Sequence, residues 1–187
     1  MNKATQARIT SGTDQSNLTG GNATWQTPPA IYQELNEAFC FDIDLFADDE
    51  RALASVWFGP GSDYEHDALA ADWHLYGRTG FSNPPYGRFL RDVLAKAADE
   101  AQLGFQSVHL IPMRMTVPVR QALFRSGRVS DWLIPDRRIT FYENGAPRLD
   151  ARGTPMPALF DSTILVFSPG TYFSAPVVRE WKVPSHI

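Results

Sequence analysis

The sequence of 187 residues contains one cysteine, Cys40, and no apolar run near the roughly 18 residues that a membrane-spanning helix needs. A single cysteine excludes an intramolecular disulfide framework and a cysteine-rich zinc site. The four histidines lack the spacings typical of metal ligands, so we expect no metal. The amino terminus also lacks the basic-then-apolar pattern of a signal peptide. These absences predict a soluble, cytoplasmic protein.

An overall positive charge, which would indicate a nucleic-acid-binding protein, is also absent, because the net charge is -4. The charge is nevertheless uneven. Residues 1–113 carry 7 Lys and Arg against 15 Asp and Glu, a net of -8, whereas residues 114–152 carry 8 arginines against 4 acids, a net of +4. Arginine suits phosphate because its planar fork donates two parallel hydrogen bonds. We predict a nucleic-acid-binding face in residues 114–152; the alternative is a chance cluster on a solvated surface.

The hydrophobic pattern divides the chain into a polar arm and one domain. Residues 1–24 are predicted to be flexible, and residues 25–187 suffice for a single core. Apolar periodicity predicts helices over residues 28–39, 88–101 and 119–124, with Thr27 as the first N-cap and Pro28 in the first turn. Apolar and alternating runs predict strands over residues 41–47, 56–58, 105–111, 132–134, 138–142 and 163–167, and one that ends before Asn83.

This order of elements indicates an α/β fold with a mixed, mostly parallel sheet and helices on both faces. Ligands of such sheets bind at the carboxyl ends of the strands. The residues that follow the predicted strands are therefore the first place to look for chemistry.

The tetrapeptide Asn83-Pro84-Pro85-Tyr86 lies between a predicted strand and a long predicted helix. The exocyclic amine of a nucleic-acid base is a poor nucleophile, because its lone pair is delocalised into the ring. Acceptors that grip the amine hydrogens free that pair, and the Asn83 side-chain oxygen and the Pro84 carbonyl could supply two. Prolines stiffen the segment, and Tyr86 offers a face on which an extruded base can stack. The motif therefore favours methyl transfer to an amine, although Asn-Pro and Pro-Pro are also turn signals.

The tetrapeptide resembles the [Asn/Asp/Ser]-Pro-Pro-[Tyr/Phe/Trp] motif of amino-methyltransferases that use S-adenosylmethionine. From roughly residue 24 to residue 168, the chain resembles the phage-type, Dam-like DNA N6-adenine methyltransferases. The tetrapeptide is the specific signal, and the order of the weaker pieces adds weight. These pieces are Trp25-Gln26-Thr27-Pro28-Pro29, Phe41-Asp42-Ile43-Asp44 with Ala47 and Asp48, Asp67-Ala68-Leu69 with Asp72-Trp73, Leu110-Ile111-Pro112 and Arg138-Ile139-Thr140-Phe141.

The resemblance implies a Rossmann-like, S-adenosylmethionine-dependent methyltransferase fold that methylates adenine N6 in double-stranded DNA, with the target base flipped out. It implies a phage- or prophage-encoded protein in a bacterial host, a monomer or weak dimer without metal or membrane. Asp44 would face the methionine part of the cofactor, and Asp67 its adenine. The implied cofactor-binding residues are Trp25, Thr27, Pro28, Asp42, Asp44, Ala47 and Asp67. The candidate DNA contacts are Arg88, Arg114, Arg137 and Arg138, the last two on a predicted strand edge.

The chain departs from the pattern of most such enzymes after the first predicted strand. There, Phe46-Ala47-Asp48-Asp49 replaces a glycine-rich turn that lets the backbone approach the cofactor. Two alternatives stay open, and the missing glycines bear on the second of them. The same tetrapeptide serves methylation of RNA bases and of protein glutamine, and the fold could persist as a catalytically inactive nucleic-acid-binding module.

Overall fold

Seven strands form one sheet in the computed structural model, which describes residues 25–170 and 172–185. The predicted amino-terminal arm lies outside the described residues. The strands of the sheet are β1 (Ile43–Asp44), β2 (Val56–Trp57), β3 (Thr79–Ser82), β4 (Gln106–Pro112), β5 (Val129–Pro135), β8 (Ser162–Phe167) and β9 (Val177–Trp181). A separate hairpin comprises β6 (Tyr142–Glu143) and β7 (Ala146–Pro147). The α-helices of the described residues are α1 (Pro29–Phe39), α2 (Phe89–Gln102) and α3 (Val117–Arg125).

The strand order is β2-β1-β3-β4-β8-β5-β9. Strands β2, β1, β3 and β4 run parallel, β8 is antiparallel to both of its neighbours, and β9 is parallel to β5. The chain passes from β1 to β2 on one side and then returns to β3 on the other side of β1. Open α/β sheets bind ligands at such a reversal, outside the carboxyl ends of the strands. Asp44 and Ser82 end the two strands that flank this point.

Alternating side chains of β4 serve two hydrophobic cores. Val108 packs in the core that contains Ile31 and Leu35 of α1, whereas Ile111 packs in the core that contains residues of α2 and α3. Successive side chains of a strand point to opposite faces of a sheet, so helices cover both faces. The predicted mixed α/β architecture with a mostly parallel sheet is confirmed.

Three predictions near the site differ from the structure. Helix α1 begins at Pro29, and Pro28 rather than Thr27 is the N-cap, without a side-chain capping bond. Only two residues of the predicted strand 41–47 pair as strand. The predicted strand 138–142 is absent up to residue 141: Ile139 and Phe141 are buried, but the Ile139 carbonyl accepts from the Ala158 N–H in a loop. The apolar residues at alternate positions of the sequence therefore imitated the pattern of a half-buried strand, although Thr140 between them is buried as well.

One edge strand and one hairpin were not predicted. Strand β9 lies at the sheet edge with most of its side chains exposed, so it lacks the alternation that marks a half-buried strand. The β6–β7 hairpin turns at Asn144 and Gly145, which have φ values of 52° and 77°. An Asn-Gly pair is the preferred sequence for this turn. The sequence signal for the hairpin was present but was interpreted only as part of a loop.

Candidate active site

The tetrapeptide at residues 83–86 follows β3 directly and precedes α2, as predicted. Gly87 follows it with a φ of 95°, a left-handed conformation that favours glycine. The segment therefore turns sharply out of the sheet before the helix begins at Phe89. This turn places Asn83 at the carboxyl end of β3, beside the point where the strand order reverses.

Both polar atoms of the Asn83 amide have partners. Its Oδ1 accepts a hydrogen bond of 2.8 Å from the Tyr86 hydroxyl, and its Nδ2 donates to the Trp25 carbonyl over a longer distance of 3.5 Å. Burial raises the pKa of the Tyr86 hydroxyl above its ordinary value, so this hydroxyl stays protonated and remains a donor at neutral pH. The amide is thus oriented with its oxygen toward Tyr86. The acceptor that the sequence suggested for a base amine is engaged within the motif itself.

The Tyr86 ring is partly buried and meets the ring of Phe160 edge-on, with 5.8 Å between centroids and an interplanar angle of 82°. Phe160 also stacks on Trp25 at 5.9 Å. The aromatic side chain of the motif is therefore held by a packed neighbour rather than free to rotate in solvent. Pro84, the second predicted acceptor-bearing residue, is buried, whereas Pro85 is exposed.

Trp25 contacts the site through its backbone, while its ring is packed. The ring stacks on Phe141 with 5.5 Å between centroids, and the Arg148 guanidinium carbon lies 4.2 Å from its centroid. Guanidinium groups are attracted to the face of an indole. The sequence suggested Trp25 for the cofactor pocket and did not single out Arg148. Their contact, 123 residues apart in the chain, has no local pattern that would have revealed it.

Asp44 ends β1 and is buried, with 4% of its surface exposed. Burial is the main cause that raises its pKa from 3.8 to about 7; hydrogen bonds from the backbone of Leu53 and Phe46 partly offset this, and the nearby Asp48 raises it further. The Leu53 N–H donates to Oδ2 over 3.1 Å. The carboxyl group at this strand end is therefore poised to change its charge near neutral pH.

A cleft of about 540 Å³ is connected to Asp44 through Leu53, a lining residue whose N–H donates to the Asp44 carboxyl, while Asp44 itself does not line the cleft. Its walls are residues around the start of α1, the loop of residues 50–53 and the tip of the hairpin. Leu53, which binds Asp44, and Thr27, a predicted cofactor residue, both line it. Gln26 fastens the hairpin to this wall: its backbone pairs with Tyr142, and its Oε1 accepts from the Gly145 N–H at 2.8 Å. The volume is within the range of sites for small ligands and cofactors.

Other residues suggested for the cofactor site have structural partners. Asp42 precedes β1 at the amino end of the sheet, where its Oδ2 accepts from the N–H groups of Arg78 and Thr79. Asp67 caps a short turn, with Oδ1 accepting from the Leu69 N–H at 3.0 Å. Asp42 lies at the strand end opposite to Asp44 and does not line the cleft.

Ala47 lies in the glycine-free turn and makes a close backbone contact. Its N–H donates to the Phe58 carbonyl, and its own oxygen would lie 2.0 Å from a Cβ added at Gly59. The glycine that lets two backbone segments approach here therefore follows β2 rather than β1. Pro28, like Thr27, is buried next to the start of α1.

The four arginines suggested for DNA binding are exposed. Arg88 and Arg114 follow the carboxyl ends of β3 and β4, on the same edge of the sheet as Asn83. Arg138 forms an ion pair with Asp161, with 3.1 Å between Nε and Oδ1. Arg137 donates to two backbone carbonyls near the carboxyl terminus, at 3.0 and 2.6 Å. Arg137 and Arg138 lie in a bend after β5, so the predicted strand edge was wrong.

The described residues contain neither a metal-binding cluster nor a membrane-spanning helix. Within residues 25–170 and 172–185, no group of three or more His, Cys, Asp or Glu side chains is arranged to hold a metal ion. Over the same ranges, no helix has the length and apolar character needed to cross a membrane.

The fold and site together define a mixed α/β protein with an Asn-Pro-Pro-Tyr segment at the reversal point of a mostly parallel sheet. Residues 15–156 match the family model of DNA N-6-adenine-methyltransferase (Dam), which is most of the chain. The chain therefore belongs to this family, as its sequence pattern suggested. Membership supports DNA N6-adenine methyltransferase activity. Neither a curated protein nor a solved structure matches the chain.

Proposed function

We propose that the protein transfers a methyl group from S-adenosylmethionine to N6 of an adenine that is flipped out of double-stranded DNA. The observation that carries this proposal is the position of Asn83 in a chain of the Dam family. Its amide lies at the carboxyl end of β3 and is oriented by Tyr86 and the Trp25 carbonyl. The amide oxygen is thereby placed at the edge of the sheet where ligands of this architecture bind.

The cleft and Asp44 fit the cofactor chemically. S-adenosylmethionine supplies the methyl group as a sulfonium and carries a cationic amino group. A buried carboxyl that is largely desolvated is a strong partner for such a cation, because the ionised form of Asp44 lacks a cationic partner among its described contacts. Thr27 and Leu53 would line the cofactor, and the hairpin would cover one side. Trp25, Pro28, Ala47 and Asp67 remain secondary candidates around this pocket.

The residues of the motif would act on the amine by accepting its hydrogens. The Tyr86 hydroxyl leaves Asn83 Oδ1 when the base enters, so that the amide oxygen and the Pro84 carbonyl accept the two N6 hydrogens. The Tyr86 ring stacks on the base, and Pro85 keeps the segment stiff. Transfer would form the N6–methyl bond while the sulfonium–methyl bond breaks and leaves a neutral thioether, and one N6 hydrogen would leave as a proton to solvent. These contacts orient the nitrogen lone pair toward the cofactor pocket.

The arginines would bind the phosphates around the flipped base. Arg88 and Arg114 lie on the rim next to the tetrapeptide, and Arg138 lies beside Asp161. Contacts of this kind position the duplex without reading its sequence. We expect the loops around the hairpin to contribute to site selection.

The test compares Asn83→Ala with Asn83→Asp and the wild type. Plasmid DNA is incubated with S-adenosylmethionine, digested to nucleosides and examined by mass. Wild type should produce N6-methyladenine, Asn83→Asp should retain activity because it keeps an acceptor oxygen, and Asn83→Ala should lose it while calorimetry shows intact cofactor binding. Full activity of Asn83→Ala would refute the proposed role. Methylation of RNA or of glutamine, or the absence of heat with the cofactor, would support one of the two alternatives, whereas N4-methylcytosine would identify cytosine as the target base.

A further inference from the structure

Leu159 is an exposed apolar side chain on an anchored backbone. It is 77% exposed, whereas its neighbours Ala158 and Phe160 are buried. The Ala158 N–H donates to the Ile139 carbonyl over 2.9 Å, and Pro157 stiffens the approach. The leucine therefore extends from a fixed base. Exposure alone decides nothing, because single exposed leucines are common.

The position of Leu159 distinguishes it from other exposed leucines. The next residue, Phe160, contacts Tyr86 of the tetrapeptide edge-on at 5.8 Å. The residue after that, Asp161, accepts from the Met113 N–H through its carbonyl and pairs with Arg138 through its carboxylate. Leu159 thus belongs to the rim of the candidate active site. An exposed methionine and an exposed arginine are attached to the same short segment.

Extrusion of a base leaves a gap in the stack, and the unstacking costs free energy. Proteins that deform DNA frequently place an apolar side chain such as leucine between base steps. A rim that carries apolar side chains next to an arginine matches this need, because the apolar groups meet bases while the cation meets phosphate.

We propose that Leu159 enters the duplex at the position that the target adenine vacates and stabilises the extruded state. This inference rests on the proposed function, and it adds a DNA-contacting residue outside the tetrapeptide. Arg138, held by Asp161, would contact the phosphate backbone beside the gap. The partner of this surface is therefore duplex DNA rather than a second copy of the chain.

The experiment compares Leu159→Ala with Leu75→Ala, a matched control. Leu75 is 72% exposed but lies just before β3, at the amino end of the sheet and opposite to Asn83. After the methylated site has been mapped on plasmid DNA, kcat/KM is measured on a duplex that carries this site. The same duplex with a mismatch opposite the target adenine is the second substrate. 2-Aminopurine at the target position reports extrusion by its fluorescence.

Leu159→Ala should lower kcat/KM on the matched duplex by about 10- to 100-fold, the value of burying a leucine side chain. It should also reduce the 2-aminopurine signal. On the mismatched duplex the loss should shrink to within about threefold, because a mismatched base is already partly unstacked. Leu75→Ala should match the wild type on both substrates. A merely structural role would lower activity on both substrates equally.

Three results would overturn the inference. The first is wild-type activity of Leu159→Ala on the matched duplex, and the second is an equal loss on both substrates. The third is a change from dimer to monomer in gel filtration without any dependence on the mismatch, which would assign Leu159 to a contact between copies. If the wild type methylates no DNA at all, the proposed function itself fails, and the two failures are thereby distinguished.

Discussion

Replacing Asp44 with asparagine should stabilise the protein above neutral pH. Burial raises the pKa of Asp44 from 3.8 to about 7, a difference of about 3 units. Each unit corresponds to about 1.36 kcal/mol, so ionising this carboxyl in the folded protein costs about 4 kcal/mol. Asparagine removes this cost. It keeps one acceptor oxygen but replaces the other with an NH2 group that can only donate, and losing a hydrogen bond there costs about 1 kcal/mol. The expected net gain is about 3 kcal/mol at pH 8.

The sign of the pH dependence follows from the raised pKa. Between the unfolded pKa and the folded pKa, the unfolded chain has lost the proton that folded Asp44 retains. The contribution of this group to stability is therefore fully present below pH 4 and is lost as the pH rises through 7. Relative to wild type, Asp44→Asn should gain about 1.4 kcal/mol per pH unit between pH 5 and pH 7, and the difference should level off above.

Urea unfolding of wild type and Asp44→Asn at pH 5, 6, 7 and 8 measures this difference. Calorimetry with S-adenosylmethionine on the same samples should show weaker cofactor binding by the stabilised variant, because the neutral amide no longer attracts the amino group. A stability difference that does not vary with pH would show that Asp44 does not carry the proposed ionisation cost. A variant that is stabilised but binds the cofactor normally would support the ionisation cost of Asp44 and would show that Asp44 does not contact the cofactor.

Two further variants test contacts elsewhere in the site. Gly59→Ala should destabilise the protein by about 3 kcal/mol or more in urea unfolding, because its Cβ would lie 2.0 Å from the Ala47 oxygen. The control, Gly104→Ala, also has a positive φ but no atom within 4 Å of the added Cβ, so it should cost much less. Equal losses of stability in the two variants would show that the contact with Ala47 does not matter. Tyr86→Phe should change kcat/KM on DNA by about tenfold or less, because it removes one hydrogen bond and keeps the ring. Tyr86→Ala, which removes the ring, should abolish methylation. A phenylalanine variant as inactive as the alanine variant would argue against stacking.

The sequence predicted the features of this site that are local in the chain. The long helix after the tetrapeptide has a strong apolar stripe, and its observed bounds, Phe89–Gln102, differ by one residue from those predicted. The strand before Asn83, and the turn between this strand and the helix, could also be predicted from residues adjacent in the sequence. The motif chemistry and the position at a strand end were therefore available before the structure.

Contacts between distant segments could not be predicted. The Asn83 amide is oriented by a carbonyl 58 residues earlier, and the cleft combines three segments that are distant in the chain, residues 26–29, 50–53 and 142–145. The sequence predicted that Asp44 is an acidic residue at a strand end, but its raised pKa depends on burial, which only tertiary packing creates. The false strand at residues 138–142 has the same origin, since tertiary burial can imitate strand alternation.

The hydrogen bond from Tyr86 to Asn83 also bears on which bases the site would accept under the proposed function. A base that enters must replace the Tyr86 hydroxyl as donor to Oδ1, or the amide oxygen is left without a partner in a partly buried site. An exocyclic amine brings two N–H donors, one for Oδ1 and one for the Pro84 carbonyl. A keto group is only an acceptor, and it would face the two acceptors of the site, Asn83 Oδ1 and the Pro84 carbonyl. The site should therefore exclude thymine and guanine O6 by unsatisfied acceptors, whereas cytosine N4 passes this filter and must be rejected by the rest of the pocket.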